Sequence, residues 1–589
     1  MGVATTRYHE RSLAAAGLGG NAQPQFGAHD AVCGAGVLFL LPALLAQGLL
    51  KTNEVYTVAA NHYYGLESVV LTLAFMALAR IKNPEQIKQC RPGEIGKIIG
   101  LDRSPEVRCL RDKINLLSSQ KQAQKLNRLL IGLWYEQPSE ESSFLYIDGH
   151  VRVYHGYKAN LPAKFVSRQK LCLNATTEYW VNDMAGMPVM MVTGELTEKL
   201  QQVIEDLIIP ELKKTKLLPA VELQQTQTNT TESIATDDPP PQQEGENAEQ
   251  AERQSPTCTL IFDREGYDIP FFKRLWQTHR IAILSYRKNV HDTWPEESFK
   301  PMDITVLEHV ITMRICEQKV TLGGMVLREI RRLTDNGHQT SIITNNGVID
   351  MKVAAGRMFG RWSQENFFRY MIADYDFDKM IEYGVQSIDE KKEVVNPQYR
   401  KFSHQLKKQK EKTARLEATL LEVIEQAIVL EDAIDKLPKV RLKEADLIEK
   451  INAARLLEQN IRKQKEAVTA RITLKDMPDQ TRYNQLKPES KMLMNIIKMI
   501  CYRAETSVAN LIAEFSNDRT ENRMLVKQII QNNADIHPDQ ENKTLTISLH
   551  SLSAPRFNRA AQKLAELLNQ SETIFPGSDW QLIFKTAAS

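Results

Sequence analysis

The stretch GRWSQENFFR, residues 360–369, places one carboxylate between two arginines. Residues four apart share one face of a helix, so Arg361, Glu365 and Arg369 are predicted to lie together on such a face. Trp362 and Phe368 are predicted to anchor other faces of the same helix in a core. One interpretation of this pattern is an ordinary salt-bridge ladder on an amphipathic helix. Two acids upstream favour a second interpretation, in which the carboxylate belongs to a site.

The first of these acids is Asp148, which interrupts an apolar run of strand-forming residues at 144–154. The second is Asp263, which ends a short apolar strand within residues 257–267 and precedes a glycine-containing turn. Aspartate is depleted from strands, so its presence in both runs requires an explanation. Local explanations exist for each, because an aspartate also suits a hairpin turn, as at Asp148, or a helix cap, as at Asp263.

Taken together, two strand-borne aspartates followed by a helix-borne glutamate resemble the catalytic triad of the DDE transposases of bacterial insertion sequences. Those enzymes carry a signature of Tyr, two residues, Arg, three residues, Glu, six residues and Lys. Arg361 and Glu365 fit this signature, whereas Met358 and Ile372 stand where the family has Tyr and Lys. The resemblance implies an α/β chain with an RNase H-like catalytic core, in which Asp148, Asp263 and Glu365 are catalytic.

Three carboxylates brought within a few ångströms repel one another unless a divalent cation lies between them. Ligand sets made only of oxygen select hard ions, so the expected cofactor is Mg²⁺ or Mn²⁺ and Asp148, Asp263 and Glu365 are the expected metal ligands. Two ions about 3.5 to 4 Å apart would allow one site both to cut and to join phosphodiester bonds. Glu329 and Asp350 are the competing choices for the third acid, and both have simpler explanations as surface or turn residues.

The overall charge of the chain neither supports nor excludes DNA binding. Its 589 residues carry a net charge of +2, so a DNA-binding surface must come from local basic clusters. The seven cysteines include no Cys-x-x-Cys pair, which argues against a zinc site and a disulfide framework and fits a reducing cytoplasm. The uncharged stretch 31–50 raises the question of a membrane span, but its glycines and proline favour burial beside a second apolar helix at 66–81.

A helix, a glycine-containing turn and a second helix are predicted between residues 92 and 113. Ser104 and Pro105 suit the start of the second helix, which would present Arg108 and Arg111 to DNA. A plain helical hairpin is the alternative. Arg361 and Arg369, which flank the predicted catalytic glutamate, are the other expected DNA contacts.

Composition and periodicity divide the chain into four predicted domains. A segment poor in apolar residues cannot offset its ordering entropy, so 224–256 is predicted to be a linker. Heptad spacing predicts two helices that fold into a hairpin, with pairing between two copies in a homodimer as the alternative. The boundaries are a helical N-terminal domain at 1–135, a catalytic core at 136–395 with the linker and a β-rich insertion at 299–350, a coiled-coil helical hairpin at 396–475, and a small α+β C-terminal domain at 476–589.

The sequence therefore predicts a DNA transposase that cuts and rejoins phosphodiester bonds at the ends of a mobile element by a two-metal mechanism. Its expected partner is double-stranded DNA, both element ends and target, and it is expected to be cytoplasmic, with no membrane partner. The alternative is a catalytically inactive, DNA-binding, coiled-coil structural protein whose acids only stabilise the fold. Metal-dependent strand cleavage separates the two.

Overall fold

The structure is a computed structural model that describes part of the chain. The described residues are 6–136, 143–166, 169–194, 196, 198–215, 217–218, 255–306, 309–359, 362–377, 384–429, 437–479, 481–516 and 519–587. The side chains of 362–365, 426–429, 437, 519 and 520 are outside the description, although their backbone is helical. Nearly all of the predicted linker, 224–254, lies outside the described residues.

The described helices lie in four groups along the chain. The N-terminal group contains α1 (Tyr8–Ala15), α2 (Leu41–Ala46), α3 (Leu66–Leu78), α4 (Pro92–Ile98), α5 (Val107–Ser119) and α6 (Ala123–Trp134). The central group contains α7 (Leu200–Val203), α8 (Ile209–Lys213), α9 (Ile269–His279), α10 (Met351–Phe359) and α11 (Trp362–Tyr375). Two long helices follow, α12 (Pro397–Val429) and α13 (Leu437–Glu466). The C-terminal group contains α14 (Glu489–Ala513), α15 (Arg519–Gln531) and α16 (Pro555–Asn569).

The described strands form one large sheet, one smaller sheet and two short ribbons. The large sheet contains β2 (Phe144–Val153), β3 (Ala163–Val166), β4 (Leu171–Asn182), β5 (Pro188–Gly194), β6 (Cys258–Phe262), β7 (Ile281–Tyr286), β8 (Lys300–Val306), β9 (His309–Leu322), β10 (Met325–Leu333) and β11 (Gln339–Thr344). The smaller sheet contains β1 (His29–Val32), β16 (Ala534–Asp539), β17 (Thr544–Leu549) and β18 (Gln581–Thr586). The ribbons pair β12 (Val385–Gln386) with β15 (Gln485–Leu486) and β13 (Glu393–Val395) with β14 (Arg471–Thr473).

The centre of the large sheet combines an antiparallel meander with two parallel strands. Its five strands lie in the order β5-β4-β2-β6-β7. β4 is antiparallel to both β2 and β5, whereas β6 is parallel to β2 and to β7. All five residues of β6 are buried, as expected for a strand with both faces covered. The antiparallel strands β8 to β11, where the β-rich insertion is predicted, extend this sheet from β7.

Two different layers cover the two faces of this sheet. Because side chains alternate along a strand, one face carries Leu145, Ile147, Leu260, Phe262 and Ile283, which pack in one cluster with Phe271, Phe272 and Leu275 of α9. The opposite face carries Phe144, Tyr146, Ile261 and Leu284, which pack with Ala354, Ala355 and Met358 of α10. The second face is therefore the one beneath α10.

The N-terminal and C-terminal parts of the chain share one hydrophobic core. Strand β1 pairs with β16, about five hundred positions later, through His29 and Ile536. Gly36 donates its N–H to the carbonyl oxygen of Asn532, and a Cβ at Gly36 would overlap the carbonyl oxygen of Ile529. The predicted N-terminal and C-terminal domains are thus packed together, and the domain boundaries as such stay a prediction.

The apolar segments near the N-terminus are buried in this shared core. The 3-10 turn Ala35–Leu40 is wholly buried, and α3 buries ten of its thirteen residues. Within the described residues, no helix combines the length and the hydrophobicity required to cross a lipid bilayer.

Helices α12 and α13 pack against each other as an antiparallel pair within the chain. Lys465 lies over the ring of Tyr399 at 4.8 Å, and farther along the pair the Gln409 amide donates to the carbonyl oxygen of Ala454 at 3.2 Å. An ion pair joins Arg455 to Glu417 at 2.7 Å. The predicted helical hairpin is therefore formed from one copy of the chain.

Candidate active site

Asp148 and Asp263 are neighbours across two parallel strands. In the pairing of β2 with β6, Ile147 lies beside Phe262, and the two aspartates are the next residues along each chain. Adjacent strands are about 4.8 Å apart, so the backbones that carry these carboxylates are at nearly that separation. The sequence predicted the two acids to share a site, and their positions in the sheet are consistent with that prediction.

The strand pairing also defines the face on which Asp148 lies. Asp148 is directly opposite Trp180 of β4, and opposite residues place their side chains on the same face. The Trp180 ring contacts Phe367 of α11, with ring centroids 5.4 Å apart. Asp148 therefore lies on the face that α11 covers, and Asp263 follows the alternation of β6 onto the same face.

Local hydrogen bonds orient both aspartates. Oδ1 of Asp148 accepts from the backbone N–H of Gly149 at 2.8 Å, and Oδ1 of Asp263 accepts from the backbone N–H of Arg264 at 2.6 Å. Asp263 also caps the 3-10 turn Arg264–Gly266, so the cap expected at this position is present. Both residues are half-buried, which leaves each carboxylate at the boundary between sheet and solvent.

Helix α11 is held against this face by aromatic side chains. Phe367 is fully buried, and Phe368 stacks on His150 of β2 with centroids 5.8 Å apart. His150 lies two residues beyond Asp148 and thus on the same face of its strand. Glu365 is in the helical part of the chain one turn before Phe368, but its side chain lies outside the described residues, as does the whole of Arg361.

No cluster of three His, Cys, Asp or Glu side chains arranged to hold a metal ion occurs in the part of the chain that the structure describes. Since that part does not include the Glu365 side chain, the predicted set of three carboxylates stays a prediction. The two aspartates supply oxygen donors only, and like charges on adjacent strands suit a hard divalent cation. The described half of the site thus fits Mg²⁺ or Mn²⁺.

Glu329, one competitor for the third acid, is fully buried in a different environment. It lies opposite Ile343, which packs on the face under α9, so Glu329 is on the other face of the sheet from the aspartates. Its carboxylate accepts from Arg287, from Arg331 Nε at 2.7 Å and from Ser341 Oγ at 2.6 Å. These contacts give Glu329 a structural role in the insertion.

Asp350, the other competitor, lies at the start of α10. Its Oδ1 accepts from the backbone N–H of Lys352 at 2.7 Å, and its backbone carbonyl accepts from the N–H of Ala354 at 2.9 Å. This is the turn-and-cap role that its position in the sequence predicts.

A network of buried polar side chains of α14 holds the C-terminal end of α11 in place. Lys498 is fully buried and donates to the carbonyl oxygen of Tyr375 at 2.7 Å, while Lys491 donates to that of Phe377. Burial lowers the pKa of Lys498 to about 8. Asn495, on the same helix, donates to Glu178 of β4 at 3.3 Å. Helix α14 thus links α11 to the large sheet.

A second part of this network joins the N-terminal region to α11. Arg80 pairs with Glu505 at 2.7 Å and with Asp374 at 3.3 Å, and the Tyr370 hydroxyl donates to Glu505 at 2.9 Å. Sequence reasoning assigned no role to residues 498–506. The detectable signal was the presence of Lys, Arg and Glu inside an otherwise apolar helix, which requires buried partners.

A comparison of sequence families matches residues 2–588 to the family described as "Transposase protein". The chain belongs to this transposase family. Among solved structures, it is similar to piggyBac transposase in a synaptic complex with hairpin DNA, determined by cryo-EM. The TM-score is 0.30 and the identity 10%, over 85% of this chain and 86% of that one. A score this low supports no structural argument, and none of the curated proteins matches the chain.

The transposase assignment predicted from Asp148, Asp263 and Glu365 is confirmed at the level of the family. The narrower assignment to DDE transposases of bacterial insertion sequences stays a prediction. The same holds for the roles of individual residues.

In this transposase, the arginines predicted to contact DNA lie on exposed helix surfaces where they are described. Arg108 and Arg111 are exposed on α5, and Arg111 is paired with Glu85, its Nε lying 2.6 Å from Oε1. Arg369 is exposed on α11, away from the buried Phe367. Exposure leaves these side chains accessible to phosphates, and the pairing of Arg111 requires that its partner be displaced.

The predicted start of the second helix is wrong by two residues. Helix α5 begins at Val107 with Glu106 as its N-cap, whereas Ser104 is buried before the helix. The turn is instead fixed by Asp102, which accepts from Arg11 Nε at 2.9 Å and from the Tyr63 hydroxyl at 2.8 Å. Tertiary partners therefore replace the local cap that the sequence suggests.

Proposed function

We propose that this transposase cuts and rejoins phosphodiester bonds with Asp148, Asp263 and Glu365, on an RNase H-like core. The observation that carries the proposal is the position of Asp148 and Asp263 directly after Ile147 and Phe262, which pair across two parallel strands, with Asp148 on the face that α11 covers. Glu365 belongs to that same helix. The strand order β5-β4-β2-β6-β7, with three antiparallel strands followed by two parallel ones, supports the proposed core.

Asp148, Asp263 and Glu365 would hold the divalent cations, Mg²⁺ or Mn²⁺, through carboxylate oxygens. Such ions, when bound, polarise the scissile phosphate and stabilise the charge that develops on its oxygens. The backbone N–H groups of Gly149 and Arg264 fix the orientation of the two aspartates before DNA arrives. A preoriented carboxylate loses less conformational freedom on binding its ligand, which favours tight and specific geometry.

The aromatic layer beneath α11 has a separate part in the proposal. Phe367 and Phe368 fix the helix against Trp180 and His150, and thereby fix the backbone of Glu365 relative to Asp148. This packing also excludes water from one side of the site. DNA must therefore enter from the solvent side of the strand ends, where the chain presents Arg264 as an exposed cation.

The test is strand cleavage by the full chain on duplex DNA that carries the ends of the element encoding it. The Asp148→Asn and Asp263→Asn variants should give no cleaved or joined product in Mg²⁺ or Mn²⁺, because each loses a ligand charge while its shape is preserved. Their affinity for the same DNA should be nearly that of the wild type. Asp303→Asn, an exposed aspartate on β8, is the matched control and should cleave normally.

Persistent cleavage by both active-site variants would refute the assignment. The alternative of an inactive DNA-binding structural protein predicts no metal-dependent product from the wild type either. Membership of the transposase family does not favour that alternative.

A further inference from the structure

Helix α12 of the hairpin has strongly segregated charge. Residues 397–415 contain seven Lys and Arg against one Glu, whereas 416–429 contain three Glu and no basic residue. The chain as a whole has a net charge of only +2, so this segment holds a concentrated positive field. A solvated helix face usually mixes the two signs, whereas Glu411 is the single acid among these seven cations.

Four of these cations form a single stripe. At 100° per residue, Lys401, Lys408, Lys412 and Arg415 fall within about 60° of one another on the helix, and the stripe is about 21 Å long. All four side chains are exposed, while Gln409 and Thr413 face the partner helix and are buried. Within the described part of the chain, none of the four forms an ion pair.

Aligned like charges three or four residues apart on a helix repel one another and destabilise it. A polyanion that binds along the stripe removes this repulsion, and DNA presents phosphates at a spacing that a 21 Å row of cations can follow. The stripe is also incompatible with close pairing to the same stripe of a second copy. Charge complementarity therefore favours a nucleic-acid backbone as the partner.

The position of the hairpin agrees with DNA held at the candidate active site. Arg400 donates to the carbonyl oxygen of Ala163, and Ala163 pairs with Asn174 at the edge of the sheet. Asn174 accepts from the N–H of Tyr154, six residues beyond Asp148. The six residues from Asp148 to Tyr154 span about 20 Å along an extended strand. This distance is less than the roughly 34 Å of one turn of duplex DNA.

We infer that the stripe formed by Lys401, Lys408, Lys412 and Arg415 is a phosphate-binding surface that holds double-stranded DNA without regard to its sequence. The inference rests on the proposed function only for the choice of DNA as the polyanion. The hairpin is then a second DNA contact, separate from the residues that carry out the chemistry.

The test is the salt dependence of binding to a 40-base-pair duplex that lacks element ends, measured by fluorescence anisotropy in EDTA. The quadruple variant Lys401→Gln, Lys408→Gln, Lys412→Gln, Arg415→Gln should reduce the slope of log K against log[KCl] by about 3.6, because each phosphate contact contributes about 0.9. The matched control removes four exposed cations from the other end of the hairpin: Lys439→Gln, Arg441→Gln, Lys443→Gln and Lys450→Gln. Its slope should change by less than about 1.

Circular dichroism checks that the stripe variant keeps its helices. If it does not, single Lys→Gln changes, each expected to lower the slope by about 0.9, carry the same test. A slope in the stripe variant equal to that of the wild type overturns the inference, and is the result expected if the stripe binds an acidic protein segment. An equal reduction of the slope in the control variant also overturns it. A wild-type chain that does not bind this duplex, or variants that all bind it normally, overturn the stripe alone, because the proposed function is tested separately by cleavage of DNA that carries element ends.

Discussion

Phe367→Ala should loosen α11 from the large sheet. The Phe367 side chain is fully buried, and its ring lies 5.4 Å from Trp180, 5.5 Å from Phe368 and 5.2 Å from Tyr502. Truncation of a buried phenylalanine costs about 3 to 5 kcal/mol, and three aromatic contacts favour the upper half of that range. An added cost of 4 kcal/mol raises the population of the open state nearly a thousandfold, since 1.4 kcal/mol is a factor of ten.

Hydrogen exchange followed by mass spectrometry measures this opening directly. Peptides within Trp362–Tyr375 should exchange about 10² to 10³ times faster in Phe367→Ala, and strand cleavage should fall because Glu365 is on the released helix. Phe165→Ala makes the same chemical change at a side chain that is 60% exposed, and should stay within about 0.5 kcal/mol of the wild type. Equal exchange in α11 for both variants would refute the reasoning.

Three further predictions test the other described networks. Glu329→Gln leaves the buried Arg331 and the partly buried Arg287 without their shared carboxylate, so it should destabilise β10 by about 3 kcal/mol, seen as faster hydrogen exchange over Met325–Leu333. Although burial alone would raise it, the hydrogen bonds from Arg11 and Tyr63 hold the pKa of Asp102 at about 2, against 3.8 ordinarily. Because the folded pKa is depressed, the stability that Asp102 contributes is present above about pH 4 and is lost as the pH falls toward 2, so the melting temperatures of wild type and Asp102→Asn should converge in that window. Arg108→Ala should weaken DNA binding and its salt dependence more than Arg111→Ala does, since Arg111 already has an acidic partner.

Each of these predictions has a result that contradicts it. Glu317→Gln removes a carboxylate that is paired with Arg328 at a partly exposed position. If this variant destabilises β10 as much as Glu329→Gln does, the effect of Glu329→Gln does not come from the burial of its ion pairs. If the difference in melting temperature between wild type and Asp102→Asn stays constant as the pH falls toward 2, the ionised Asp102 carboxylate is not the source of this stability. Equal salt slopes for wild type and both arginine variants would favour the plain helical hairpin over a DNA-binding one.

Sequence reasoning was effective where a local pattern determines the local structure. Asp148 and Asp263 were identified because an acid conflicts with the strand propensity around it, and the strands do place them side by side. The pattern of Leu447, Ile451, Ala454, Leu457 and Ile461 identified a helix of the hairpin, of which the first three are buried and Leu457 is 49% exposed. Such signals depend on neighbours within a few residues.

The remaining features depend on contacts between distant parts of the chain. Lys113 of α5 is buried although lysines usually face solvent, because the packing of α5 and not its composition sets which side faces inward. The roles of Lys498 and Glu505 depend on partners at Tyr375 and Arg80, more than a hundred residues away. No local pattern specifies partners at that separation.

The pairing of β1 with β16 has a consequence for synthesis of the protein. Ribosomes add roughly 5 to 20 residues per second, so the apolar helix ending at Leu78 emerges about 25 to 100 s before β18 is complete. During that interval its ten buried residues have no finished core to enter, and the nascent chain requires protection from aggregation, as a chaperone provides. An element copy cut short at its 3′ end would then yield an unfolded product and not a shortened enzyme, because the last strands complete the core around the first helices.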